Sequence, residues 1–339
     1  MARRIEGRAK LGAATRRAVA SAFTGALLSS LMTAPSLAQD AKPYPARQIT
    51  LVAPFPAGSA TDTIARMLAN SISQEARVPV VVENKPGADG NIAATHVARA
   101  AGDGYTVFIT TNSTHAANAS TFKALPFDPK ADFLPVAGLV KIPIILAVKA
   151  DSPVDSIADF IARARRSSKP LTFGSSSQTG RGAGEAMKVA AGVDLLNVPY
   201  KGSPQALTDL VGGQIDSIFG DPISAAGMVS KGLVRVLTVT SAARVATLPD
   251  VPTLDEAGLV DFELTAWVAM FVPAKTPRDA VERLNAYANA FLKSPATIKH
   301  LAGMGSIPFA TTPEQLGSFA EAETKRWARI VEYAKIERQ

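Results

Sequence analysis

The chain of 339 residues contains no cysteine and only three histidines, His96, His115 and His300. Without cysteine no disulfide framework is available, so a buried core must hold the fold. None of the histidines has a partner at metal-ligand spacing, and neither a metal nor a cofactor is expected. A G-x-S-x-G nucleophile elbow is also missing, although a Ser–His–Asp set assembled in space stays open. No Lys- or Arg-rich run is interleaved with aromatics, so no nucleic-acid partner is expected. There is no short internal repeat, no low-complexity linker and, past the N-terminus, no segment that approaches a membrane span.

The N-terminus itself reads as an export signal. Arg3, Arg4, Arg8, Lys10, Arg16 and Arg17 precede a weakly apolar stretch at 18–32, and Ser36-Leu37-Ala38 is a small-x-small cleavage site. The expected mature chain follows Ala38 and lies in the periplasm. The apolar stretch is about 15 residues, short of the ~20 a spanning helix needs. Sec and Tat export both fit the Arg16-Arg17 pair, with general secretion favoured. Six of the 36 Lys and Arg residues and one of the 29 Asp and Glu residues fall before Gln39, which leaves a net charge of about +2. The basic balance of the whole chain therefore says little about partners.

The remaining residues alternate β-branched runs with Ala-rich helical patterns. Strands are expected at 49–53, 80–82, 105–110, 142–148, 171–173, 195–198, 217–219, 234–239 and 267–272. Short connections between strand and helix imply parallel pairing and right-handed crossovers. Two doubly wound α/β units result. Ser203-Pro204, Thr276-Pro277 and Thr312-Pro313 each read as an N-cap followed by proline at the first helical position.

Two loops carry the chemistry. Pro54-Phe55-Pro56-Ala57-Gly58-Ser59-Ala60-Thr61-Asp62 lies between a buried strand and a helix with Ile64, Leu68 and Ile72 on one face. That layout aims backbone N–H groups at an anion without cationic side chains. A dinucleotide loop needs three glycines where only Gly58 stands, and Glu83 is the sole candidate for the ribose. Asp62 either compensates the helix dipole or orients the loop donors. The second loop, Gly174-Ser175-Ser176-Ser177-Gln178-Thr179-Gly180-Arg181-Gly182, offers hydroxyls and N–H groups to a carboxylate. There Arg181 is either a bidentate clamp or a solvated side chain. His115, in the segment 111–115, follows a strand and could line a cleft. Asp221 stands where open α/β sheets place ligand contacts, and equally where it would cap the helix at Pro222.

The segment 54–62 resembles the P-F-P-P-G-G-x-T-D loop of the Bug-type, TctC-like receptors of tripartite tricarboxylate transporters. Asn84-Lys85-Pro86-Gly87-Ala88-Asp89-Gly90-Asn91-Ile92, Asp103-Gly104-Tyr105-Thr106, Val198-Pro199-Tyr200-Lys201-Gly202, Leu248-Pro249-Asp250-Val251-Pro252-Thr253 and Glu256-Ala257-Gly258 carry the same resemblance. It implies a two-lobed Venus-flytrap binding protein, each lobe a mostly parallel, doubly wound sheet flanked by helices. Lobe I would hold 39–142 and 264–339, and lobe II 143–263. It implies a monomer that passes a small carboxylate to membrane subunits and catalyses nothing. A signalling subunit and a secreted α/β hydrolase using Ser175 or Ser177 are the alternatives. The ligand residues expected are Phe55, Ala57, Gly58, Ser59, Ala60, Thr61, Asp62, Thr111, Ser113, Ser176, Ser177, Gln178, Thr179, Arg181 and Asp221. Two features depart from the family pattern: Ser59 replaces its second loop glycine, and the second loop has Arg181 and no histidine.

Overall fold

Alternating apolar runs and amphipathic segments give two helix-flanked sheets. The computed structural model describes residues 44–259 and 263–339; the export signal and its cleavage site lie outside the described residues. In chain order the strands are β1 (Ile49–Ala53), β2 (Val80–Asn84), β3 (Thr106–Thr111), β4 (Phe133–Pro143), β5 (Ile145–Lys149), β6 (Leu171–Ser175), β7 (Leu195–Pro199), β8 (Ser217–Gly220), β9 (Val234–Val239), β10 (Thr265–Pro273) and β11 (Ile307–Pro308). The helices are α1 (Ala60–Ala76), α2 (Asn91–Ala98), α3 (Asn118–Thr121), α4 (Ile157–Arg166), α5 (Gln178–Ala191), α6 (Ser203–Val211), α7 (Pro222–Ser230), α8 (Arg278–Lys293), α9 (Pro295–Gly303) and α10 (Pro313–Tyr333).

The first sheet has the order β11-β4-β10-β3-β1-β2 and the second β7-β6-β8-β5-β9. Parallel pairing is confined to β2-β1-β3 and β7-β6-β8. Strands β4, β5 and β10, through which the chain passes between the sheets, pair antiparallel with their neighbours. The sheets are therefore mixed rather than mostly parallel. A strand that enters from the other sheet is not bound by the helical crossover that enforces parallel pairing.

The apolar run at 142–148 is two strands, not one. Pro143 has no N–H to donate, and Ile144 leaves both ladders. Its N–H donates to Thr240 Oγ1 (3.1 Å) and its carbonyl accepts from the Thr240 N–H (2.9 Å). Leu264, at the second crossing, donates its N–H to the Thr240 carbonyl (3.1 Å). Thr240 thus ties the two crossings together. The longer part of β4, from Phe133, was hidden in the sequence by Pro135 and Gly138. Both flank bulges against β10, at Val136 and Leu139. The bulged carbonyls take other donors, Asn285 Nδ2 on Val136 (2.7 Å) and the Phe309 N–H on Leu139 (2.9 Å).

Helix starts follow side-chain chemistry closely. Ser59, Ser156, Ser177, Asp221 and Thr312 cap α1, α4, α5, α7 and α10 through their side-chain oxygens. Thr312 forms a full capping box with Gln315. Two expected caps differ. Gly202 is the N-cap of α6, so Ser203 is already helical, and Pro277 is the N-cap of α8 while the Thr276 hydroxyl donates to the Pro273 carbonyl. On α1 the stripe Ile64, Leu68 and Ile72 is fully buried in the first lobe. On α5, Gly180 and Gly184 face the second sheet, where a Cβ would overlap the Phe219 carbonyl and the Phe173 ring. Gly182, on its other side, lies against Trp327 of α10. These glycines let α5 sit tightly between the second sheet and the last helix.

Candidate functional site

A cleft open to solvent lies where the ends of β1, β3, β6 and β8 meet the two crossings. Phe55, Ser59, Ala60, Thr61 and Thr111 contribute from the first lobe, and Ser176, Ser177, Thr179 and Asp221 from the second. All nine were singled out in the sequence. Asn112, in the 111–115 segment that was also singled out, lies beside them, and Ile142, Ile144, Gly202, Ser203, Gly220, Ala266, Trp267 and Val268 complete the wall without having been expected there. Among the described residues no Lys, Arg or His lines it, and Asp221 is its one carboxylate.

On the first side, the 54–59 loop satisfies several of its own donors. Gly58, at φ 79°, donates its N–H to Asp62 Oδ2 (3.0 Å), and Ser59 donates its N–H to the Pro56 carbonyl (3.2 Å). Ser59 Oγ accepts the Asp62 N–H (3.3 Å). The Ala60 and Thr61 N–H groups have no acceptor among the described residues and are the loop's free donors. Asp62 stays out of the cleft and holds the loop. It accepts from Gly58, from Arg66 Nε (3.0 Å) and from Asn84 Nδ2 (2.9 Å), which also donates to the Phe55 carbonyl (2.9 Å). Burial pushes the Asp62 carboxyl up, but hydrogen bonds from Arg66, Gly58 and Asn84 outweigh it and hold it below the usual carboxylate range. The expectation that Ala57, Gly58 and Asp62 face a ligand is corrected: none of them lines the cleft, because the turn directs them outward or into its own brace.

The opposing jaw is shorter than the expected 174–182 loop. β6 runs through Ser175 and α5 starts at Gln178, leaving only Ser176 and Ser177 between them. Ser177 Oγ accepts the Gly180 N–H (3.2 Å), and the Gln178 N–H donates to Ser113 Oγ (3.3 Å). The Thr179 N–H has no acceptor among the described residues. Asn112 Nδ2 donates to Thr179 Oγ1 (2.6 Å), a direct bond between the two sides. Ser113, Gln178 and Arg181 are corrected too. Gln178 Nε2 donates to Asp89 Oδ2 (2.9 Å), and Arg181 Nη2 donates to the Glu337 carbonyl (3.0 Å). They join the two sides beside the cleft rather than inside it. Burial pushes the Asp89 carboxyl up, and Arg181 and Gln178 only partly offset that.

The third wall holds a chain of hydroxyls. Ser176 Oγ and Ser203 Oγ are 2.8 Å apart, and Ser203 Oγ donates to Asp221 Oδ2 (2.9 Å). Asp221 Oδ1 accepts the Ser224 N–H (2.7 Å), so this residue both caps α7 and lines the cleft. Trp267 donates its Nε1 to Glu323 Oε2 (3.2 Å), which leaves the indole's apolar surface for the cleft.

His115 is not in this cleft. It sits in a π-helical turn, Ser113–Ala117, between the rings of Phe133 and Phe271. Its Nδ1 pairs with Thr110 Oγ1 (2.8 Å), and burial pushes it down to about 3. Ser175 Oγ donates to Asn197 Oδ1 (2.7 Å) and Ser177 Oγ caps a helix, so neither serine is bonded to a histidine. Among the described residues no group of three His, Cys, Asp or Glu could hold a metal.

Two α/β lobes around a cleft that, among the described residues, no cationic side chain lines define a solute-binding protein of the two-lobed type. The model of the tripartite tricarboxylate transporter family receptor matches residues 64–336, and the chain belongs to that family. BugT of Bordetella pertussis is 31% identical over 291 residues, 85% of this chain and 89% of BugT. Rpa4515 of R. palustris, solved with adipate, has a TM-score of 0.85 at 36% identity over 87% of this chain and 100% of its own. MatC of Rhodopseudomonas palustris, solved with bound malate, has a TM-score of 0.79 at 31% identity over 85% of this chain and 100% of its own. The family is one of receptors, not enzymes.

Proposed function

We propose that this chain is a periplasmic receptor that captures a small carboxylate between its lobes and presents it to the membrane subunits of a tripartite tricarboxylate transporter. One observation carries the reading: α1 and α5 point their N-termini into one cleft, with unpartnered N–H groups at Ala60, Thr61 and Thr179 and, among the described residues, no cationic side chain in its lining. Each terminus is worth about 0.3–2 kcal/mol to an anion. Each charge-assisted hydrogen bond adds about 1.5–3 kcal/mol. Ser59 and Ser177 hydroxyls accept backbone hydrogens and still hold their own proton to donate. Several such contacts reach the ~8 kcal/mol of a micromolar complex after association costs. That Rpa4515 holds adipate and MatC malate supports the ligand class.

In this reading lobe I comprises 39–142 and 264–339 and lobe II 143–263, with the crossings tied by Thr240 as the hinge. The chain acts as a monomer after cleavage following Ala38. No helix among the described residues is long and apolar enough to cross a membrane, which agrees with a receptor that reaches its transporter by docking. A thermal-shift screen of mono-, di-, tricarboxylic and aromatic acids tests it. A true ligand at 100 times its Kd stabilises the fold by about 2.7 kcal/mol. A flat response across the whole panel would sink the proposal.

A further inference from the structure

The hydroxyl chain on the third wall has a fixed direction. Ser203 has a single hydroxyl hydrogen, and it goes to Asp221 Oδ2. The hydrogen between Ser176 Oγ and Ser203 Oγ must therefore come from Ser176. Both serine hydrogens are used up within the wall. Ser176 and Ser203 are both buried. What these three side chains still offer the cleft is acceptor lone pairs, on Ser176 Oγ and on the Asp221 carboxylate. Asp221 also caps α7 through the Ser224 N–H and bonds the first residue of α6, so a resident negative charge already lies against those two helix starts. The starts of α1 and α5 have no such carboxylate in the cleft.

The cleft is thus polarised, with donors at Ala60, Thr61 and Thr179 and acceptors at Ser176 and Asp221. We infer that Asp221, with Ser176 and Ser203, selects ligands that carry a hydrogen-bond donor, a hydroxyl or an ammonium, in addition to the carboxylate, and disfavours a second carboxylate pointed at this wall. This inference rests on the carboxylate-receptor reading and narrows it to hydroxy and amino acids. A donor reaching Asp221 makes a charge-assisted bond, whereas an unsubstituted chain leaves Asp221 and Ser176 desolvated and unpaired when the lobes close. A second carboxylate there meets like charge at low effective dielectric.

The test is calorimetry of the purified exported protein with matched pairs: succinate against malate and aspartate, glutarate against 2-hydroxyglutarate and glutamate, benzoate against its 3- and 4-hydroxy derivatives. At least one donor-bearing member should bind about tenfold or more tightly than its parent. Asp221→Asn keeps an N-cap but brings an amide donor, and should erase that preference and raise relative affinity for the plain dicarboxylate. Ser203→Ala, which frees the Ser176 hydrogen, should reduce the preference without removing it. Parents and derivatives binding equally, or a preference that survives in Asp221→Asn, overturns the inference while leaving the carboxylate receptor standing. No binding by any acid in the set overturns both.

Discussion

Gly202, the N-cap of α6, lies directly beneath Pro56 of the 54–59 loop, so close that a Cβ at 202 would overlap the proline ring. The two residues belong to opposite sides of the cleft. Gly202 has φ −170°, an extended conformation open to any residue, so glycine is needed here for space alone. Gly202→Ala should leave the unliganded fold close to wild type, because the lobes can part by the ~1 Å that turns a 2.3 Å overlap with Pro56 into ordinary contact. Closure over a ligand should suffer, at a cost of about 1–3 kcal/mol. Calorimetry should show carboxylate affinity falling about tenfold or more while the ligand-free melting temperature moves little.

Asp62 is a brace for the first jaw, and its removal should show in stability before affinity. Asp62→Asn keeps an acceptor for Gly58 but leaves Arg66 without its carboxylate, for a cost of about 1–3 kcal/mol in urea unfolding at pH 7. In the folded chain the carboxyl lies below its ordinary value of 3.8, so the unfolded chain binds this proton more tightly. The stabilisation is present above that value and is lost as pH falls through the folded pKa. The difference between Asp62→Asn and wild type should therefore shrink in strong acid.

His115 gives a signature of the same sign at higher pH, a penalty that grows as pH drops from neutral. Its pKa falls from 6.5 to about 3 on folding, so between those limits only the unfolded chain takes the proton. Stability should decline by up to about 1.4 kcal/mol per pH unit below about 6.5. His115→Phe, which suits the surrounding Phe133 and Phe271 rings, should flatten that slope. Chemical denaturation of both forms at pH 7, 6 and 5 measures it.

Trp267 lines the cleft and Trp327 packs on α5 away from it. With only two tryptophans in the chain, fluorescence can assign the ligand's position. Trp327→Phe should keep a saturable intensity change on addition of a carboxylate, and Trp267→Phe should lose it. A signal that tracks Trp327 instead would place the ligand elsewhere.

Local chemistry made parts of the site legible. Thr312 was legible as a cap and Asp221 as either a cap or a ligand contact, and the Ile64, Leu68 and Ile72 spacing fixes which way α1 faces. The two strand–loop–helix turns follow from the same local pattern, but not which of their N–H groups stay free. Ser203 was legible only as a helix start, and its hydroxyl turned out to join Ser176 to Asp221, 27 and 18 residues away in the chain. Asn112 was legible only as a member of the 111–115 segment, and its bond to Thr179, 67 residues distant, was not. Trp267 lies three residues past the expected crossing at Leu264, and that proximity was the available signal for it. The failures at Asp62, Gln178 and Arg181 share a cause: a polar side chain beside a binding loop can brace it or join the lobes as readily as touch a ligand, and spacing does not distinguish these.

The sequence by itself determined most of the elements, the caps at Thr312 and Asp221 and the two strand–loop–helix turns that make anion cradles, because each depends on contacts within a few residues. It also determined that no cation would sit in the 54–62 turn. Tertiary structure decided the rest. It broke the apolar run at Ile144 into two sheets, spent the Gly58 and Ser59 N–H groups within the turn, and turned Arg181 away to the Glu337 carbonyl. It also brought α1, α5, α6 and α7 to one cleft and let Asp221 occupy two of those helix ends. Which donors remain free is a property of the assembled set, since each hydroxyl hydrogen can be given only once.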